Sequence, residues 1–337
     1  MNSILVLTLI ILLFNLLIYL KFESLNLRLN FFDNPDGRLK KHSKPVSLVG
    51  GLIILINIYL IVFLINLLNL ESLLFEKNYL FLFLFLITFF YIIGVLDDLK
   101  NINPNKKLLL IFLVLVICIF IFPEIKIVEI KISFLSKIYY FKFPYTQIFI
   151  IFSFLLLVNA MNMFDGINLQ LISYSTFVLI LFILKGFLPI FFILLLICLI
   201  TLGILNFKNK VFLGDGGSNL LSAILGLTFI YQYKKFDNFF LGDEVFVILL
   251  IPSIDMLRLF VVRLINQNHP FKGDLNHLHH VVYRLTKNKT LTVITTITIC
   301  ILPTIFMYLN IKTYIILIVS SFLYFVLISL LSHRKYL

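Results

Sequence analysis

The sequence predicts an all-α polytopic membrane protein, with about eleven transmembrane helices and a short periplasmic β-hairpin near 124–143. Three observations predict it. Hydrophobic residues make up 61% of the 337 residues and charged residues only 13%, about half the share of a soluble globular chain. Mean hydropathy is +1.08, which excludes a disordered chain, and 13 Gly with 9 Pro exclude a collagen-like fibre. The apolar residues fall into runs long enough to cross a bilayer as helices.

Those runs lie near 3–20, 48–68, 79–96, 108–122, 147–162, 171–185, 188–206, 219–233, 243–263, 291–309 and 314–331. The first lacks a small-residue cleavage site and is followed by Lys21, so it reads as a retained span rather than a signal peptide. Segment 124–143 is too charged to span. Its partial alternation (Ile125, Ile127, Val128, Ile130, Ile132, then Tyr139, Phe141, Phe143) reads as a hairpin on the membrane surface. No repeat or linker divides the chain, and 1–337 reads as one integral membrane domain. Cys118, Cys198 and Cys300 sit inside apolar runs with no CxxC spacing, which points away from disulfides and cysteine-bound metal.

The net charge of +12 reads as membrane sidedness rather than nucleic-acid binding. One alternate set of loops holds seventeen Lys and Arg and the other nine. The richer set (21–46, 97–107, 163–170, 207–218, 264–290 and 332–337) is expected to be cytoplasmic, with the N-terminus outside. Seven of the ten Asp and all six His fall in that set, whereas five of the six Glu do not. A solvated face has no reason to prefer Asp over Glu or to collect every histidine. Short carboxylates, imidazoles and lysines on one side suggest a site for a metal and an anionic substrate.

Asp97 and Asp98 close the third run. Adjacent carboxylates repel, and a bound cation would offset their cost; a merely hydrated helix end is the plainer reading, but a helix C-terminus prefers cations and does not favour it. Lys106 and Lys107 follow and would equally serve as positive-inside anchors. Asn159, Asn162, Asp165, Gly166 and Asn168 end the fifth run; they would bind a ligand or hydrogen-bond between helices. Gly214-Asp215-Gly216-Gly217-Ser218 precedes the eighth run. Its glycines let backbone amides approach an anion, with a helix expected from about Ser218, which would also suit an N-cap. Asp274, His277, His279 and His280 lie in the last long loop, after His269-Pro270-Phe271. Their spacing is not that of a zinc site, and histidines can donate to phosphate. The first loop carries Asp33, Pro35, Asp36, Arg38, Lys40, Lys41, His42 and Pro45, and its bases would also meet anionic headgroups. Asp255 and Arg258, three apart inside the ninth run, read as a mainly structural pair.

Together these motifs resemble the polyprenyl-phosphate N-acetylhexosamine-1-phosphate transferases, which include the O-antigen and teichoic-acid initiating enzymes and the phospho-MurNAc-pentapeptide translocase. Five motifs occur in family order over nearly the whole chain: the first loop leading to Gly50-Gly51, Asp97-Asp98, the N-x-x-N-x-x-D-G run, the G-D-x-G-S turn and the H-x-H-H segment. The H-x-H-H segment is nearer the O-antigen and teichoic-acid branch. There are departures. Asn168 stands where many bacterial members have Asp, Leu169 where Gly is usual, Ser47 where proline is common, and Asn101 in place of a third acid.

The resemblance implies transfer of a sugar-1-phosphate, with GlcNAc-1-phosphate the default, from a UDP-sugar to undecaprenyl phosphate, releasing UMP. It implies Mg²⁺ (with Mn²⁺ as a substitute) on Asn162 and Asp215, and a catalytic group of Asp97, Asp98, Lys107 and Asp165. Substrate contacts would come from Asn159, Asn168, His277, His279 and His280. The expected partners are the UDP-sugar, undecaprenyl phosphate and the bilayer, without nucleic acid; homodimerisation stays open. The expected location is a bacterial inner membrane with a cytoplasmic active site. The competing readings are a DDxxD prenyltransferase, which would need a second Asp-rich helix, and an ion-coupled transporter, which would need ionisable groups near the midplane.

Overall fold

The structure is a computed structural model that describes residues 2–33, 44–135, 137–235, 239–270 and 274–333. All eleven apolar runs are helical, as the hydropathy required. Among the described residues nine helices are long and apolar enough to cross a membrane. The other two runs are α6 (Gln170–Leu184), which is shorter, and α8 (Gly214–Lys235), which is long enough but less apolar. The chain is a multi-pass membrane protein.

Contacts divide it into two compact units: Met1–Glu124 with Ser175–Leu225, and Ile125–Tyr174 with Gly226–Leu337. The boundary falls inside α6 and α8.

The first unit holds α1 (Asn2–Leu29), α2 (Gly50–Leu67), α3 (Lys77–Lys100), α4 (Pro104–Ile121) and α7 (Pro189–Phe207). α7 packs against α1 and α2, and α3 packs against α4. α1 runs nine residues past the expected end of its span, because Phe22, 3% exposed, continues its buried face. Asn15 and Asn57, both buried, share a 2.7 Å hydrogen bond between α1 and α2. In a lipid setting such amide pairs fasten helices that apolar contacts alone would leave free to slide. The first loop closes at its ends as a two-stranded antiparallel ribbon, β1 (Phe32–Asp33) with β2 (Val46–Ser47). Phe212 N donates to Ser47 O at 2.7 Å and Gly50 N to Phe212 O at 3.2 Å. That loop is thereby fastened just ahead of the 214–218 turn. Its motif residues Pro35, Asp36, Arg38, Lys40, Lys41 and His42 lie outside the described residues, as does Phe271.

The second unit holds α5 (Tyr145–Phe164), α9 (Gly242–Ile265), α10 (Leu278–Thr286), α11 (Lys289–Tyr308) and α12 (Thr313–His333). α9 is its centre and packs against α5, α11 and α12. Pro252 inside α9 removes one backbone donor and so frees the carbonyl four residues back. The buried Tyr174 hydroxyl donates to that carbonyl, Ile248 O, at 2.7 Å. The expected hairpin is present, with β3 (Glu129–Lys131) antiparallel to β4 (Ile138–Tyr140). Asp243, in the first turn of α9, accepts from Ser133 N at 2.9 Å and Ser133 Oγ at 2.5 Å, and from Thr313 Oγ1. One buried carboxylate therefore joins hairpin, α9 and α12. The three cysteines are free and buried.

Candidate active site

The motif residues divide between the two units. In the first, α3 does not end at Asp97-Asp98 but continues to Lys100. α8 starts at Gly214 rather than at Ser218, which places Asp215 in its first turn. Ser218 is thus inside the helix, its hydroxyl 3.3 Å from Asp215 O, and does not cap it. The cap comes from α3. The Asp98 carboxylate accepts from Asp215 N at 2.9 Å and Gly216 N at 3.1 Å. An acid that looked misplaced at one helix C-terminus thus sits at the N-terminus of another, where unpaired amides and the helix dipole favour a negative charge. Glycines permit the approach. A Cβ on Gly94 would overlap the Asp215 carbonyl, and one on Gly51 would lie 2.6 Å from Gly217 N.

Asp97 is held differently. One oxygen accepts from Ile102 N at 2.8 Å, and the other lies 2.9 Å from Lys107 Nζ. Lys107 also reaches Asp215 at 2.6 Å. It projects from the first turn of α4, which Asn103 caps by accepting from Asn105 N, with Pro104 at the first helical position. One ammonium therefore joins two carboxylates, Asp97 and Asp215, and Asp98 joins the same group through the Asp215 amide. The Asp215 side chain keeps 33% of its surface exposed, against 12% for Lys107.

In the second unit, α5 ends at Phe164 with Asp165 as C-cap. Asn159 spends its amide on Leu155 O, 2.7 Å away in its own helix, while Asn162, Asp165 and Asn168 are half-buried around the adjoining turn. Gly166 lies against His279, whose imidazole a Cβ there would overlap. Leu169 adopts φ +71°, the left-handed conformation that suits glycine, at the position where glycine was expected.

The histidine segment is not a loop throughout, because Leu278–Thr286 form α10. His277 Nδ1 is 2.9 Å from Asp255 and its Nε2 is 3.4 Å from Arg263 Nη2, so both ring nitrogens face protein partners. His279 is 1% exposed, and Gln170 Nε2 lies 3.4 Å from its Nδ1. Burial drives the pKa of His279 well down, and the neighbouring His280 and His277 add to the shift. His280 is half-buried, its ring centroid 4.2 Å from that of His279. Arg263 donates to Asp274 at 2.8 Å and to Pro270 O at 2.7 Å. Burial pushes the Asp274 carboxyl up, but the Arg263 hydrogen bond and the Asn276 amide outweigh it and hold the group below its ordinary range. Sequence reasoning did not assign Arg263 or Tyr324 to the site. An arginine inside an apolar run was the one available signal for the first, since such a group must find a partner.

Asp215 and Asn162 offer oxygen donors, the class that Mg²⁺ takes. Among the described residues no three His, Cys, Asp or Glu side chains gather into a complete cage.

The comparisons with known proteins agree with one another. A family model described as Glycosyl transferase family 4 matches residues 80–233. A Thermotoga maritima protein named undecaprenyl-phosphate alpha-N-acetylglucosaminyl 1-phosphate transferase is 31% identical over 275 residues, covering 78% of this chain and 77% of that protein. Proteins of the same name from Salmonella typhi and Escherichia coli strain K12 are 31% and 29% identical over 153 residues, each covering 42% of this chain and 41% of the relative. With the ordered motifs and the helical architecture, these matches establish that the chain belongs to the polyprenyl-phosphate N-acetylhexosamine-1-phosphate transferase family.

Proposed function

We propose that the chain is a membrane enzyme that transfers a sugar-1-phosphate to undecaprenyl phosphate, drawing it from a UDP-N-acetylhexosamine, by default UDP-GlcNAc, and releasing UMP. The product, an undecaprenyl-diphospho-sugar, would start a cell-surface polysaccharide such as O-antigen or a cell-wall glycan. The observation that carries the reading is the charge cluster of Asp97, Asp98, Lys107 and Asp215 built at the joined ends of α3, α4 and α8.

The lipid phosphate attacks the donor phosphorus nearest the sugar. A phosphate monoester is largely a dianion near neutrality, with a second pKa of about 6, so no side chain need remove a proton first. The harder task is gathering polyanions. Lys107 supplies a fixed positive charge, and with two of its three donors on Asp97 and Asp215, the third is left to reach a phosphate oxygen. Mg²⁺ on Asp215 and Asn162, or Mn²⁺ in its place, would neutralise phosphate oxygens as they become crowded. Asp98 keeps the first turn of α8, and so Asp215, in place. Asp165 and Asn168 flank Gly166, where Asn168 would meet the uracil; Asn159 serves the same turn from one helical turn before. His280 would meet the donor phosphates or sugar, with His279 packed behind it and His277 anchoring their helix.

We place the enzyme in a bacterial inner membrane with these motifs at the cytoplasmic face, as the seventeen-to-nine charge count supports. The deciding experiment incubates the purified protein with undecaprenyl phosphate and radiolabelled UDP-GlcNAc, then other UDP-N-acetylhexosamines. A lipid-linked sugar diphosphate and stoichiometric UMP are expected. No lipid product with any of these donors would overturn the reading.

A further inference from the structure

The last helix carries none of the sequence motifs, yet it packs against both α9 and α10. α12 is the least buried span, with 11% of its apolar stretch inside the protein. Two of its hydroxyls meet the two aspartates of α9: Thr313 donates to Asp243, and Tyr324 donates to Asp255 Oδ1 at 2.6 Å. The acids are twelve residues apart and the hydroxyls eleven, about 17 Å along either helix, so α12 is fixed to α9 at two heights and in one register.

Asp255 is 4% exposed and accepts four hydrogen bonds. On Oδ1 the donors are Tyr324 OH, Arg258 Nη2 at 3.0 Å and the Leu278 backbone N at 3.1 Å. On Oδ2 the donor is His277 Nδ1 at 2.9 Å. Leu278 is the first residue of α10, so Asp255 caps α10 from another helix and also fixes the side chain just ahead of it. Arg258 extends the set. Its Nε donates to the Tyr324 oxygen at 2.8 Å and its Nη2 to Asn276 O at 2.6 Å. Tyr324 thus gives its proton to Asp255 and accepts from Arg258, and both charged partners stay satisfied in a buried place where an unpaired charge is costly.

We infer that Asp255 and Tyr324 are positioning residues for the transferase reaction: together with Arg258 they set the start of α10, and through it the placement of His279 and His280. The inference rests on the proposed transferase reading and extends it to a helix outside the motifs. A pair serving stability alone would not have to converge on the backbone N–H of Leu278, the carbonyl of Asn276 and the imidazole of His277, all within the three residues that lead into α10.

Tyr324→Phe tests it, because the ring and its packing stay while the hydroxyl goes. A buried hydrogen bond to a charged group supports an effect of about tenfold, expected as a rise in KM for the UDP-sugar per folded molecule, with KM for undecaprenyl phosphate unchanged. Amide exchange should quicken in 278–286 and not in α11. Tyr314→Phe, exposed on the same helix, should match wild type. Ile316→Ala, buried on α12 away from Asp255, should lower the melting temperature without moving either KM. Should Tyr324→Phe not fold, Arg258→Lys carries the same expectation, since an ammonium cannot span Tyr324, Asp255 and Asn276 O as the guanidinium does. Unchanged UDP-sugar KM and unchanged α10 exchange in the folded variant overturn the inference. An inactive wild type overturns the transferase reading instead, and the exchange data then still decide whether Tyr324 holds α10.

Discussion

Replacing Asp98 by Asn removes one charge and keeps the shape, so its effect can be worked from the contacts of the carboxylate. Both oxygens are used, on the amides of Asp215 and Gly216. A carboxamide has one acceptor oxygen, so one amide keeps its partner and the other meets an NH₂ donor. A charge-assisted hydrogen bond of this kind is worth about 1.5–3 kcal/mol. The loss of negative charge at the α8 N-terminus removes about 0.3–1 kcal/mol more. The variant should therefore lose about 2–4 kcal/mol of stability in the first turn of α8, and that turn carries Asp215. Asp97→Asn is the informative contrast. Its carboxamide oxygen can still accept from Ile102 N, while its NH₂ then faces the Lys107 ammonium. Its effect should fall on turnover, with the folded fraction near wild type. UMP release would be measured per folded molecule, beside thermal melting in detergent. Both variants should lose about 10²-fold or more in turnover, the scale of a preorganised electrostatic contribution. Near wild-type turnover in both would refute the assignment. A full loss explained by unfolding alone would leave Asp98 a structural cap and nothing else.

Three further outcomes can be checked. Asp215→Asn and Asn162→Ala should each raise the Mg²⁺ needed for half-maximal activity by about tenfold or more, and weaken Mn²⁺ binding read by electron paramagnetic resonance; unchanged Mn²⁺ affinity would remove both from the metal site. Single cysteines placed in 97–107, 207–218 and 264–290 should resist an impermeant reagent in intact cells and react in opened ones, against a low background since Cys118, Cys198 and Cys300 are buried; labelling from outside would reverse the topology. Leu169→Gly should raise stability by about 1 kcal/mol, because it relieves a left-handed backbone at φ +71°, and lower stability would mean that the leucine side chain contributes more than the strain costs.

The helices were legible because bilayer thickness sets a length and apolar composition satisfies it, whatever the partners. The hairpin was legible in the alternation of Ile125 to Phe143. What local pattern could not reveal was pairing at long range. Asp98 and Gly216 are 118 residues apart, and no periodicity announces that one caps the other. Asp97-Asp98 stood out by its apparent cost at a helix end, and that cost was partly misread, since α8 supplies Asp98 with amides and Lys107 supplies Asp97 with a cation. α10 was missed although Leu278, Val281 and Val282 have helical spacing, because its nine residues, which include His279 and His280, read as part of the last long loop.

The same blindness applied to Asp255 and Arg258, read as a pair closed within one helical turn. The pair exists at 3.0 Å, but it leaves Asp255 free to accept three further donors, two of them at the entry to α10. An intramembrane acid is costly enough that one arginine rarely completes its shell. Two oxygens have room for about four donors, so a sequence that names only one leaves the others to be sought elsewhere in the chain. Here they came from Tyr324 on the last helix and from Leu278 and His277 at the start of α10. The number of unfilled acceptor positions on a buried carboxylate, rather than its nearest charged neighbour, is what points from the membrane interior to the site.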